Sequence, residues 1–143
     1  MNASPPRVQM SAPFREVAEH FARGQHDFLF VVDTTGKFRG AVPMRAMEAW
    51  LNDPDLQGWA IASDILMDDF PSVTARTPLS ELVERFSHHR ANRLAVVDHE
   101  SGVLVGSVSK TDVMLALAHG VGFKTAEPPR VSPGGPSSLR DSG

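Results

Sequence analysis

Few residues of this 143-residue chain could do chemistry. Ser107-Val108-Ser109-Lys110 has the Ser-x-x-Lys spacing in which a lysine assists a serine nucleophile. The companion motifs of that enzyme class are missing, however, and Ser107 lies inside a strand pattern. His88, His89 and His26 offer imidazoles for a metal, but no ligand partner stands at a set spacing, so they read as exposed helix-end histidines. Asp68-Asp69 reads as a solvated turn. No nucleophile–base–acid set is visible, so neither catalysis nor a required metal or cofactor is expected. What remains is Ser109-Lys110-Thr111-Asp112, a hydroxyl three residues ahead of a carboxylate at the start of an apolar helical stretch. Taken alone, that spacing is a helix cap. Arg93, just before an apolar run, is taken alone a solvated charge.

The elements that position these residues come from a repeat. Shifted by 65 positions, residues 13–33 fall on residues 78–98 without a gap, with eight of 21 positions identical. The identities are Pro13/Pro78, Glu16/Glu81, Glu19/Glu84, Phe21/Phe86, Leu29/Leu94, Val31/Val96, Val32/Val97 and Asp33/Asp98. One residue is inserted in the second turn, so Gly40 pairs with Gly106 at an offset of 66. In each copy, apolar residues at helical spacing (Phe14, Val17, Ala18, Phe21; Leu79, Leu82, Val83, Phe86) follow a proline, which is harmless at a helix start. Thr77 is a candidate N-cap for the second of these helices. An apolar run, a glycine turn and a second run then predict a β-hairpin. A closing helix follows in each copy. In the first it spans about 44–51, with Met44, Met47, Trp50 and Leu51 on one face; in the second it spans about 111–119, stopped by Gly120. Residues 59–62 and 72–74 are predicted as short strands between the copies.

These patterns predict an α+β protein of two βαββα motifs, residues 8–62 and 63–121, packed about a pseudo-twofold axis. Neither half alone buries enough surface to be robust. The Pro-, Gly- and Ser-rich stretch 122–143 is predicted to be disordered. A formal charge of −3 and a pI near 6.0 argue against nucleic acid or an anionic membrane as partner. The absence of cysteine excludes disulfides and thiolate metal sites, and it fits a reducing compartment. No apolar stretch reaches the roughly 18–20 residues that cross a bilayer, and the first residues lack the apolar core of a signal peptide. A cytoplasmic location is expected.

The sequence Val-Val-Asp, glycine turn, then Val105-Gly106-Ser107-Val108-Ser109-Lys110-Thr111-Asp112-Val113 resembles the CBS motif, in two copies over about residues 8–119. Residues 51–66 and 106–112 are further similar to the carboxy-terminal cytosolic CBS pair of bacterial ClC-family chloride channels and transporters. The resemblance implies a regulatory module at the inner face of the plasma membrane, attached to a membrane domain of the same gene and sensing an adenosine nucleotide such as AMP, ADP or ATP. It implies that Asp112 accepts from the ribose hydroxyls, that Ser109 and Thr111 donate nearby, and that Arg93 contacts phosphate. A carboxylate can accept from both vicinal hydroxyls, and a helix N-terminus favours phosphate. Leu94 and Val108 are the expected apolar slot for adenine. The first copy departs from the pattern, with Pro43 and Met47 (or Ala46 in a slipped register) where Ser109 and Asp112 stand. At most one nucleotide per pair follows. The other reading is a ligand-free CBS pair acting as a dimerisation or interaction module, or a stand-alone CBS protein. In either case, the apolar faces of the closing helices (Met44, Met47, Trp50, Val113, Met114, Leu117) predict a homodimer.

Overall fold

The 65-residue repeat is reproduced element by element. A computed structural model describes residues 2–24 and 26–120. The first copy is β1 (Arg7–Gln9), α1 (Phe14–Arg23), β2 (Phe28–Val32), β3 (Phe38–Pro43) and α2 (Ala46–Leu51). A short helix α3 (Pro54–Trp59) and a 3-10 turn (Ala62–Asp64) connect it to the second copy. That copy is β4 (Ser72–Thr74), α4 (Leu79–Ser87), β5 (Arg93–Val97), β6 (Leu104–Ser109) and α5 (Lys110–His119). Each copy forms a three-stranded sheet, β1-β2-β3 or β4-β5-β6. In each, the first strand runs parallel to the middle one and the hairpin is antiparallel. Val31 faces Gly40 as Val96 faces Gly106, and the ladder slips at the next residue in both. The α+β class and the two βαββα motifs are as expected.

Local chemistry explains most boundaries. The hairpin turns close on Gly36 (φ 88°) and Gly102 (φ 78°), in the left-handed region where glycine avoids the Cβ clash. Gly120 (φ 64°) ends α5 in the same way. Val17 and Phe21 bury one face of α1, and Leu82 and Phe86 bury the same face of α4, whereas Val83 lies partly in solvent. Thr77 does not cap α4: its hydroxyl accepts from the Thr74 N–H (3.0 Å) within the preceding turn.

The closing helix of the first copy is shorter than expected, because Met44 and Arg45 form a turn ahead of it. Met47 and Trp50 are buried, but Met44 and Leu51 point into solvent, so the four do not share one face. Residues 59–62 are not a strand. Asp53 caps α3 by accepting from the Asp55 N–H (3.1 Å), and Pro54 opens it; Trp59 is the last helical residue. The stretch 122–143 lies outside the described residues.

Three apolar clusters build the core. One fills the first copy, around Val17, Leu29, Val31, Val42 and Trp50, with Leu56, Ala60 and Ala62 packed in from the connection. Its counterpart fills the second copy, around Leu82, Phe86, Leu94, Val96 and Val108. The third lies between the sheets, where Phe30, Val32 and Phe70 meet Ala91, Ala95 and Leu104. The pseudo-twofold axis is visible in the main chain. Lys37 and Val103 form an antiparallel bridge, with Phe38 N–H donating to Gly102 O and Leu104 N–H donating to Gly36 O, both 3.0 Å.

The copies also exchange arms. Met67, ahead of the second copy's first strand, bridges Ala41 in β3 through N···O contacts of 3.1 and 2.8 Å. Asn2, ahead of the first copy's first strand, bridges Ser107 in β6 through contacts of 2.9 and 2.8 Å. Asn2 and Met67 are 65 apart, and Ala41 and Ser107 are 66 apart, so the two crossings are equivalent.

Candidate functional site

Strand alternation decides what each residue of β5 and β6 can reach. Arg93 pairs with Ser109 and Ala95 with Ser107, so these four share one face. Leu94 pairs with Val108 and Val96 with Gly106 on the opposite face. Ala95 belongs to the cluster between the sheets, and Leu94 and Val108 belong to the second copy's own core. The polar face is therefore the one turned toward the first copy. Leu94 and Val108 are 0% exposed beneath it and offer no accessible surface for a ligand.

On the polar face, an Arg93 Nη1 donates to Ser107 Oγ at 3.3 Å. Ser107 is the one buried polar residue of the described core, and its main chain holds the Asn2 arm. At the end of β6, Ser109 Oγ accepts from the Asp112 N–H at 3.0 Å, which makes Ser109 the N-cap of α5. Asp112 is half-buried one turn into the helix, while Thr111 is exposed. The expected residues Arg93 and Ser109 thus share the face turned toward the first copy, and Thr111 and Asp112 follow in the first turn of α5; the expected apolar pair lies on the opposite face. Ser107 and the Asn2 arm are the additions. Alternation along β6 from Ser109 would have revealed Ser107, but no sequence periodicity announces the arm.

The first copy repeats the geometry with different chemistry. Phe28 pairs with Pro43, and Phe30 with Ala41, at the positions of Arg93/Ser109 and Ala95/Ser107. This strand register puts Pro43 opposite Ser109 in the repeat, and the same offset of 66 brings Ala46, rather than Met47, onto Asp112. The first copy therefore lacks the cation, the buried hydroxyl, the cap and the carboxylate. Aromatic packing fills the space instead. Phe70, from the connection, lies 5.0 Å from Phe28, 5.8 Å from Phe30, 6.2 Å from Phe38 and 5.3 Å from the His89 ring, centroid to centroid.

Two other polar centres are structural. Asp33 accepts from the Thr35 hydroxyl (2.6 Å) and N–H (2.9 Å) and from the Lys37 N–H (3.1 Å). The Thr35 hydroxyl leads in holding its carboxyl below the usual aspartate range. Asp98 does the same in the second turn, where the Ser101 N–H (2.8 Å) and hydroxyl (2.9 Å) lead. A cavity of about 530 Å³ lies beside this second turn, between Arg39, Asp68 and His99. Another, of about 600 Å³, lies along α4 between Pro71, Glu84 and His88. Among the described residues, no group of His, Cys, Asp or Glu is arranged to hold a metal ion, and no helix is long and apolar enough to cross a membrane.

Two βαββα units, each lending a main-chain arm to the other's sheet, form one paired module. The chain belongs to the CBS domain family, which matches residues 1–51 and 62–119. No curated protein matches the sequence. Among solved structures, the chain is similar to a CBS domain pair/ACT domain protein from Thermotoga maritima: 26% identity over 84% of this chain and 98% of that one, TM-score 0.68. It is similar to CBSX2 in complex with AMP, with 20% identity over 80% and 88% of the two chains and a TM-score of 0.67. It is also similar to the cytosolic domain of the Mg2+ channel MgtE in complex with ATP, with 24% identity and a TM-score of 0.65. That match covers 78% of this chain but only 44% of the MgtE domain.

Proposed function

We propose that this CBS pair is a regulatory sensor that takes one adenosine nucleotide per chain, at the second copy, and controls an ion-transport protein of the ClC type from the cytoplasmic side. The observation that carries the reading is the asymmetry of the cleft. Arg93, Ser107, Ser109 and Asp112 converge at one end of the second copy, where the first has Phe28, Ala41, Pro43 and Ala46. In this reading Asp112 accepts from the ribose hydroxyls. Ser109, Thr111 and the start of α5 serve the phosphate side together with Arg93, whose guanidinium is always charged. The AMP and ATP bound in CBSX2 and in the MgtE cytosolic domain support an adenosine nucleotide as the ligand class. The channel role of MgtE supports ion transport as the regulated activity, and the resemblance of residues 51–66 and 106–112 to the ClC pair is the ground for naming a ClC-type protein. Calorimetric titration with AMP, ADP and ATP tests the ligand. Finding the membrane-spanning helices of a ClC channel in the same gene tests the assignment to transport.

The second reading, an interaction module, rests on exposed apolar residues. Met44, Leu51 and Trp59 on one side and Met114, Leu115 and Leu117 on α5 are half or more in solvent. A helix with apolar residues on nearly every side is ordinarily covered. We take this surface to be the homodimer contact in both readings. Met47, Trp50 and Val113 do not belong to it, being buried within their own copies.

A further inference from the structure

We propose that Phe28, carried by the first copy, provides the stacking surface for the base of a nucleotide bound at the second copy; this rests on the nucleotide reading above. A planar base gains affinity by lying on an aromatic face. The strands of the second copy have none to offer on this face, where Ala95 is 0% exposed and the neighbouring side chains are Arg93, Ser107 and Ser109, and the His89 ring is already packed against Phe70.

The connections run straight to Phe28. The Lys110 N–H, at the start of α5, donates to Asn92 O at 2.8 Å. The Asn92 amide donates to the Asp27 carboxylate at 2.8 Å, across the cleft. Arg93 and Phe28 are the next residues on the two strands, at equivalent positions of the repeat. Phe28 is half-buried, so its ring keeps free surface, and Phe70 backs it at 5.0 Å with an interplanar angle of 53°. Phe70 is itself buried and has no face left to offer. Phe38, also half-buried, sits at the opposite, hairpin-turn end beside Lys37. The two equivalent positions thus hold a ring and a guanidinium, which suit the two ends of one nucleotide. The first copy's lost site becomes half of the second copy's.

Phe28→Leu keeps an apolar side chain in the cluster but removes the ring; Phe28→Trp keeps a stacking face. With both variants folded by thermal melting, titration with AMP and ATP is expected to show about a tenfold loss of affinity in Phe28→Leu and near wild-type affinity in Phe28→Trp. Nucleotide binding to the wild type that is unchanged in Phe28→Leu, or that falls equally in both variants, overturns the assignment while leaving the nucleotide reading intact. A wild-type chain that binds neither nucleotide overturns both.

Discussion

Asp27 and Asn92, equivalent residues of the two copies 65 positions apart, are hydrogen bonded to each other at 2.8 Å. Only residues on the symmetry axis can meet their own counterparts, and Lys37 with Val103 does the same near the other end of the interface. The axis thus runs through both contacts. Each residue of the pair also carries a carbonyl that receives the N–H at the start of a closing segment, Met44 for Asp27 and Lys110 for Asn92, at 2.8 Å each. The starts of both closing helices are therefore tied to the axis, and that is what brings the α5 cap into the shared cleft.

Gly40 makes a tight main-chain approach to the Met67 arm. Its φ is 144°, and a Cβ there would run into Met67 O, the atom that receives the Ala41 N–H. Gly40→Ala is expected to cost about 2–4 kcal/mol in chemical denaturation, combining backbone strain with loss of the arm contact. Gly58, inside α3 with nothing near its Cβ position, is the control. Gly58→Ala is expected to stabilise by about 0.5–1 kcal/mol. Equal effects at the two sites would show that the arm crossing is not under the constraint described.

The hairpin turns make stability depend on acid. Asp33 and Asp98 have carboxyls held below the ordinary range by turn hydrogen bonds. A depressed folded value means that the stabilisation is fully present above the unfolded value, about 4 for aspartate, and is lost as pH falls through the folded value. Melting temperature is expected to fall below about pH 4 in the wild type and to fall less steeply in Asp98→Asn. An identical slope in the two proteins would count against the turn carboxylate.

Association is expected to depend on α5. Met114 and Leu117 are one turn apart and both about half exposed, so Met114→Glu with Leu117→Glu charges the exposed face without opening the core. Light scattering at high micromolar concentration should show a dimer for the wild type and a monomer for the variant. A dimer in both places the contact elsewhere.

Much of this architecture was legible because the repeat supplies it twice: one ungapped offset carries the first helix and the middle strand of each copy. The connection was misread at 59–62 because Trp-Ala-Ile-Ala looks like a strand run, although Asp53-Pro54 was a helix-start signal five residues earlier. The site was legible in its polar half, since Ser109 and Asp112 follow a spacing and Arg93 precedes a strand. Its apolar half was not, because Leu94 to Val97 is a continuous apolar run in which both faces are buried and alternation is hidden. The Asn2 and Met67 crossings are main-chain pairings of irregular segments, for which no side-chain pattern exists.

The central claim, one nucleotide per chain held by the second copy, is tested most directly by calorimetric titration of the wild type and Asp112→Ala with the same nucleotide. Ser109 still caps α5 in the variant, because its acceptor contact is to the main-chain N–H of residue 112, so the fold is expected to persist. Removing a charge-assisted pair of ribose contacts should cost roughly 1.5–3 kcal/mol, about tenfold to a hundredfold in affinity. The account predicts a single site per chain in the wild type and that loss in the variant. Two sites per chain, or an unchanged affinity in folded Asp112→Ala, would contradict it.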